Sequence, residues 1–513
     1  MKSKLTFSEV KQVYTLLKKE ARTFCEDGKY VLSWLTVCDA VNVIQQFNWE
    51  YCDDELEQLM NQLSKQFISS VKTDYHANDN RVVVVDDWCT SYVLVMQYID
   101  ALVAAGKEIL YITSVDIKNS RYKNIIPNID KYSKLTYHIL PYNKKTINEW
   151  SLDVFKKIIE FKPSKLIAHI NCVSPFLSVL YSFPDEIKVY RSNLDDQVFW
   201  LGKQAIDYSL EFRPFGVAVS LERRGLKTEQ QLYVPYYPTK DDNPFNGFPE
   251  LPDDAVAIFS GGDFYKTLDP NYTYWNLVKT ILRNNPKAIF LYATKNVMGK
   301  TKEFLDSFIH DNHLENQFKY IGFRSDIYEV FAHIDIFMGT CPICGSLTSQ
   351  LAAINHKPIL QYYLPNTYDD ETEQSVCYNA PNMKISFSDP EAFLAEANRL
   401  ISDVEYRKLR GEEMYAATLK PEQFNRIFID AITTNNAPCP IKSVDYQEVF
   451  RRWWWLEEMG FMDNLEYLYS LLKKYKLLKM MPLFCIKYNF NRFVLNKLLN
   501  INWYRYKLKK LCN

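Results

Sequence analysis

Apolar residues recur at helical spacing through residues 10–21, 32–47 and 55–67, where positions three and four apart share one face of a helix. These runs predict a helical cap over 1–80, closed by the polar loop TDYHANDN at 73–80. The pattern then changes. Val82 to Val85 form an unbroken apolar run, as expected of a strand buried on both faces. Beyond it come a helix over 91–106 ending at Gly106, strands over 108–114 and 135–140, a helix over 152–161 and a strand over 165–170. Strands alternating with helices predict a parallel sheet with crossover helices.

A second alternating series follows the Pro- and Asp-rich segment 235–254, which reads as an interdomain linker. Its strands are expected near 255–262, 288–294, 318–322, 334–338 and 358–363, with helices over 275–284, 300–311, 326–333 and 346–354. Two further helices over 389–403 and 404–419 would close this half. The expected fold class is α/β, with two Rossmann-like domains facing a cleft. Its parts are a helical cap at 1–80, one Rossmann-like domain at 81–245, a second at 250–435 and a helical tail at 440–513.

Composition changes this picture in one place. A chain of 513 residues exceeds what a single core organises, and 47% hydrophobic with 24% charged residues is ordinary for a globular protein. The first residues lack the apolar core of a secretion signal, and no run approaches the roughly 20 apolar residues of a membrane span. A cytoplasmic protein is therefore expected, with its eleven cysteines reduced. Net charge is −1, yet after Glu466 there is no Asp or Glu and eleven Lys and Arg, so residues 1–466 carry −12. An acidic body bears a basic tail in which aromatics and cations interleave, as in FRRWWW at 450–455 and NINWYRYKLKKL at 500–511. Such a composition suits an anionic lipid surface, on the inner face of the cell membrane. Helices packed on the acidic body are the plainer account. Nucleic acid is not expected, because no recognition motif accompanies the charge.

The segment 334–360 carries the most specific chemistry. A strand ends at Met338, a small-residue loop spans Thr340 to Gly345, and a helix begins at Ser346. Backbone N–H groups at such a helix start, with the hydroxyls of Ser346 and Thr348, suit a phosphate. Ser260, Gly261 and Gly262 follow another strand, with Lys266 placed to neutralise phosphate oxygens. Cys341 and Cys344 also form a CxxC, the thiol-oxidoreductase signature, in which a helix start would lower a thiol pKa. Its place deep within an α/β series favours the phosphate reading, and one CxxC without a second pair is poor support for zinc.

The order S-G-G…K at Ser260 to Lys266, Y-I-G-F-R-S-D-I from Tyr320, and I-D-I-F-M-G-T-C-P-I-C-G-S-L-T from Ile334, with Pro358 following, resembles the donor-binding domain of GT-B glycosyltransferases. The similarity is to bacterial cytoplasmic glycosyltransferases related to O-GlcNAc transferase. Residues 193–202 (NLDDQVFWLG), with Asp207-Tyr208 and Phe212-Arg213, resemble the N-H-x-D-x-x-F-W-x-G region of related sugar transferases. The resemblance implies an acceptor domain at 81–245 and a nucleotide-sugar donor domain at 250–435, with a UDP-sugar as donor and no further cofactor or metal. Lys266, Ser346, Leu347 and Thr348 would hold the diphosphate, Arg324 would sit near the base, and Thr340 and Gly345 would shape the loop. The acceptor would be a lipid-linked or surface-polysaccharide precursor; a protein acceptor, or an inactive GT-B fold serving as a membrane-docked assembly partner, are the alternatives.

Three positions depart from the family pattern. Leu194 stands where a His is expected, and Leu351 where an acid would hold ribose, leaving Asp369 or Glu371 for that task. No Glu occurs between Glu329 and Glu371, so the Glu-x7-Glu pattern of many retaining enzymes is missing and an inverting reaction is expected. Inversion needs a general base. Asp196 is the first candidate, then Asp195, with His169 at the end of its strand as a third. The acidic pair could instead cap a turn, and a hydrogen-bonded structural histidine is the simpler account of His169.

Overall fold

The structure, a computed structural model, describes residues 5–71, 74–87, 92–116, 125–238, 240, 243–295, 297, 299–364, 371–439, 441, 444–446 and 461–492. Asp369 and the aromatic-basic stretches 450–455 and 500–511 lie outside these.

Three helices open the chain: α1 (Phe7–Glu26), α2 (Tyr30–Phe47) and α3 (Asp54–Ile68). Thr6 and Glu9 cap the first by a reciprocal capping box, and the Asp53 side chain caps the third. The first sheet contains β1 (Asn78–Asp86), β2 (Glu108–Thr113), β3 (Leu135–Ile139), β4 (Pro163–His169), β5 (Lys188–Ser192), β6 (Tyr208–Glu211) and β7 (Gln231–Tyr233). Its order is β3-β2-β1-β4-β5-β6-β7, and every pair is parallel. Val82 to Val85 sit at its centre, fully buried, which is why this strand reads as a continuous apolar run. The crossovers use α4 (Tyr92–Ala104), α5 (Ile125–Ile129), α6 (Ile147–Phe161), α7 (Leu177–Leu180) and α8 (Pro214–Glu222).

The second sheet contains β8 (Val256–Gly261), β9 (Ala288–Ala293), β10 (Phe318–Tyr320), β11 (Ile336–Met338), β12 (Ile359–Tyr362) and β13 (Ser386–Phe387). Its order is β10-β9-β8-β11-β12-β13, again parallel throughout. Its helices are α9 (Thr273–Asn284), α10 (Gly299–Asn312), α11 (Ile327–Ala332), α12 (Ser346–Ile354), α13 (Glu371–Val376), α14 (Pro390–Ser402) and α15 (Val404–Ala417). In each sheet the order reverses beside the first strand, so a crevice opens at the strands' carboxyl ends.

Helix α16 (Pro421–Thr434) returns from the second sheet to the first. Phe424 and Phe428 pack on Tyr98 of α4, with ring centroids 5.7 and 5.1 Å away. The Tyr190 hydroxyl of β5 donates to Asn435 Oδ1 at 2.7 Å. This return ties the two halves together. Helix α17 (Phe461–Lys474) then packs against the opening helices, where Leu465, Leu468 and Leu472 share a core with Val13, Leu17 and Val41.

Segment 235–254, expected as a linker, holds no helix or strand among its described residues. It is nevertheless anchored: Tyr236 and Tyr237 are buried, and Gln97 Nε2 donates to the Tyr237 carbonyl at 2.8 Å. Among the described residues no helix is long and apolar enough to cross a membrane.

Candidate active site

Strand β8 ends in Gly261 and Gly262, and both glycines are dictated by their surroundings. A Cβ on Gly261 would lie 2.8 Å from the Ala293 carbonyl oxygen, while Gly262 has φ +149°, a conformation that L side chains rarely adopt. The turn they permit leads into a short 3-10 segment that carries Lys266, which lines the same hollow as the start of α12. The two loops are joined, since the Ile343 N–H donates to the Lys266 carbonyl at 3.4 Å. Thr340 closes the second loop from within, its hydroxyl donating to the Ile343 carbonyl at 2.6 Å. Gly345 is the N-cap of α12.

Two neighbouring hollows with shared lining residues result. The first, of about 260 Å³, is lined by Gly261, Gly262, Asp263, Lys295, Phe323 and Arg324, with Lys266 and Thr348 at one end. The second, of about 240 Å³, begins at the same Lys266 and Thr348 and runs past Gly345, Ser346 and Leu347 to Gln197, Arg213, Tyr236 and Glu371. One is built from the second sheet alone; the other joins the carboxyl ends of both. Together they reach the size of a small-molecule site, about 300–1,000 Å³.

Within the first hollow, Phe323 is 61% exposed, a large apolar ring left at the mouth of a polar cavity. Arg324 beside it is already neutralised: its Nε lies 2.8 Å from Asp326 Oδ1, Nη2 2.5 Å from Oδ2, and Nη1 2.6 Å from the Gly247 carbonyl. Asp263 and Lys295 pair at 3.1 Å across the wall. Ser260 lies below the floor, wholly buried, accepting the Tyr274 hydroxyl at 2.6 Å. Ser260 and Thr340 therefore shape the loops from within, while Lys266 and Thr348 line both hollows and Gly345 and Ser346 line the second.

In the second hollow, Arg213 at the start of α8 is clamped by Asp196, Nε to Oδ2 at 2.6 Å and Nη2 to Oδ1 at 2.8 Å. Burial opposes the Arg213 charge, but Asp196 and then Glu371 outweigh it and raise the guanidinium pKa well above its ordinary value. Helix α8 meets this pair closely, since a Cβ on Gly216 would lie 3.1 Å from the Asp196 Cβ and 2.6 Å from Glu211 Oε2. Leu194, Leu347, Leu94, Phe212 and Tyr236 form a small apolar cluster bridging the two halves. Leu194 thus packs where the family pattern has its histidine. Leu351 packs into the core beneath the second sheet.

The expected catalytic residues occupy different surroundings. Asp196 is fully buried, and its two oxygens accept from the Arg213 guanidinium. Asp195 is half-buried, and its Oδ2 accepts the Cys172 thiol at 2.9 Å. Burial pushes its carboxyl up to about 6, against the Cys172 hydrogen bond and Arg191. His169 is fully buried in β4, its Nδ1 2.8 Å from Asp86 Oδ1, while Tyr111 donates to Oδ2 of the same carboxylate at 2.7 Å. Glu371, at the start of α13, is the carboxylate that lines the second hollow. Its neighbour Cys344 donates to Oε2 at 3.1 Å, and burial followed by this carboxylate pushes the thiol up to about 12. Cys344 therefore lacks the lowered pKa of a reactive thiol.

Sequence reasoning named Glu371 only as a ribose ligand and overlooked Asp263 and Phe323. The signal for Phe323 was present, an aromatic directly before the arginine singled out for the base. Nothing in the spacing shows that Glu371 accepts from Cys344 or acts on the Arg213 charge, because those interactions cross between elements.

No protein-family model matches the chain, and no curated protein aligns with it. Among solved structures, a mutant O-GlcNAc transferase of Thermobaculum terrenum superposes with a TM-score of 0.51 at 12% identity, covering 88% of this chain and 85% of that one. HepE of Anabaena in complex with UDP-glucose matches at a TM-score of 0.48 and 12% identity, over 69% of this chain and 99% of that one. A glycosyltransferase of Rickettsia africae matches at 0.46 and 13% identity, over 77% and 99%. At such identities the likeness is one of fold. Two parallel Rossmann-like sheets of seven and six strands facing a cleft are the GT-B fold.

Proposed function

We propose that the chain is a nucleotide-sugar-dependent glycosyltransferase that carries a sugar from a UDP-sugar to a lipid-linked or surface-polysaccharide precursor, with inversion and without a required metal. The observation that carries this reading is that the two hollows share Lys266 and Thr348 in their linings. A ligand with an aromatic base at one end, a diphosphate in the middle and a sugar at the other matches an aromatic mouth, a lysine beside a helix start, and a polar chamber shared by both halves. The Thermobaculum protein that shares this fold, an O-GlcNAc transferase, agrees with it.

In this reading Phe323 stacks on the base and Asp263 accepts ribose hydroxyls. Lys266 and the amides at the start of α12 hold the diphosphate, and Arg213, oriented by Asp196, neutralises the charge that grows on it as the glycosidic bond breaks. Glu371 takes the proton from the acceptor hydroxyl as that oxygen attacks the anomeric carbon. The carbon–oxygen bond to the diphosphate breaks on the opposite face, and UDP leaves. Asp195, with its raised pKa, is the alternative base.

The basic C-terminal region supports a lipid-side acceptor on the inner face of the membrane over a protein acceptor. Thermal shift with UDP, GDP, CMP and dTDP tests the donor class. Stabilisation by UDP above the others is expected; no shift at millimolar concentration of any of them would favour the inactive-fold alternative.

A further inference from the structure

Helix 482–492, which follows α17, is apolar on two opposite faces. Met481, Phe484 and Tyr488 point into the core shared with the opening helices, and Tyr488 stacks on Tyr469 of α17 at 3.8 Å. That face anchors the helix. On the other side, Leu483, Ile486 and Phe490 are 80%, 64% and 54% exposed, and Met480 adjoins them at 54%. Spacing of three and four residues puts them on one stripe. Large aliphatic and aromatic side chains scattered singly on a surface need no explanation, but a row of them along a helix marks a contact.

The charges around the stripe choose its occupant. Lys474 is held by Asp39 at 2.6 Å and Lys487 by Glu9 at 2.8 Å, so these two serve the fold. Lys473, Lys476, Lys479 and Arg492 are exposed on the same short stretch, which contains no acid after Glu466. An exposed apolar row with exposed cations on the same stretch complements a bilayer carrying anionic headgroups: the stripe enters the headgroup boundary and the cations meet the phosphates. An apolar stripe alone would equally suit a protein groove; the exposed cations on the same stretch of chain favour lipid.

We infer that Met480, Leu483, Ile486 and Phe490 form a membrane-docking stripe that seats the chain on an anionic lipid surface. This rests on the proposed lipid-side acceptor and adds that docking is apolar as well as electrostatic. Charge alone would give binding that salt abolishes.

The test is co-sedimentation with vesicles of phosphatidylglycerol and phosphatidylethanolamine, using the full chain and a variant carrying Leu483→Gln, Ile486→Gln and Phe490→Gln. Because the three side chains face outward, the variant should keep the wild-type melting temperature and its shift with UDP, which reads the cleft separately. The wild type is expected to partition onto vesicles and the variant to bind on the order of tenfold more weakly or worse. Equal partitioning of the two would overturn the stripe while leaving a purely electrostatic attachment. A wild type that ignores anionic vesicles, or that forms dimers which the variant dissolves, would overturn membrane docking in favour of a protein contact. Neither result touches the UDP shift, so the docking inference and the transferase reading fail separately.

Discussion

Arg213 and Asp196 meet in a two-pronged ion pair, Nε to Oδ2 at 2.6 Å and Nη2 to Oδ1 at 2.8 Å, with the carboxylate fully buried. Removing one member strands the other's charge in a mostly buried site, which costs about 3–5 kcal/mol. Asp196→Asn should therefore lower stability by roughly that amount in urea unfolding. The double variant Asp196→Asn, Arg213→Met should recover at least about 1 kcal/mol of it, because the stranded cation is gone. A base whose only role is proton transfer would show no such recovery.

Glu371 is expected to carry the proton transfer. Glu371→Gln keeps the shape and the Cys344 contact but cannot accept a proton, so kcat should fall on the order of 10²–10⁴-fold. UDP affinity should be unchanged, as measured by fluorescence titration. Wild-type turnover in this variant would move the role to Asp195.

Phe323 should govern affinity for the base and nothing else. Stacking of a base on an aromatic ring is worth about 1–3 kcal/mol, so Phe323→Ala should weaken UDP by that amount and leave pyrophosphate binding unaltered. Equal losses for both ligands would mean the ring supports the loop instead.

Asp87, at the end of β1, gives a pH prediction. Burial pushes its carboxyl from 3.8 up to about 7, against hydrogen bonds from Ser174 and the Asn171 N–H. Between those values the folded protein holds a proton that the unfolded chain has released. Stability contributed by this site is thus present below pH 3.8, falls as pH rises through the window, and stays low above about 7. Asp87→Asn should match the wild type near pH 4 and exceed it at pH 8 by up to roughly 4 kcal/mol. A difference independent of pH would show that the carboxyl ionises normally.

The central strands and the donor loops were legible from sequence because local pattern specifies them: Val82 to Val85 for β1, glycines at 261 and 262 for the first loop, and Gly345 before α12. Strands β5, β6 and β7 were not, since they are short and carry buried polar residues such as Arg191, Ser209 and Glu211 that break an apolar run. Helix α16 reads as an ordinary amphipathic stretch, and only its contact with Tyr98 shows that it crosses between halves. The same limit governs the site. The acidic pair at 195 and 196 stood out as chemistry, but Arg213 is seventeen residues away in sequence, and only folding shows that it consumes both oxygens of one member. Likewise the basic tail reads as free charge until Asp39 and Glu9 are seen to pair with Lys474 and Lys487.

The central claim is that a nucleotide diphosphate sits across Lys266. Calorimetric titration of UDP into the wild type and into Lys266→Met tests it most directly. Losing a charge-assisted contact of about 1.5–3 kcal/mol should weaken binding by roughly ten- to a hundredfold while the melting temperature of the unliganded protein holds. Saturable one-site binding in the wild type with that loss in the variant is the predicted result; equal affinity in the two proteins, or no binding to either, would contradict it.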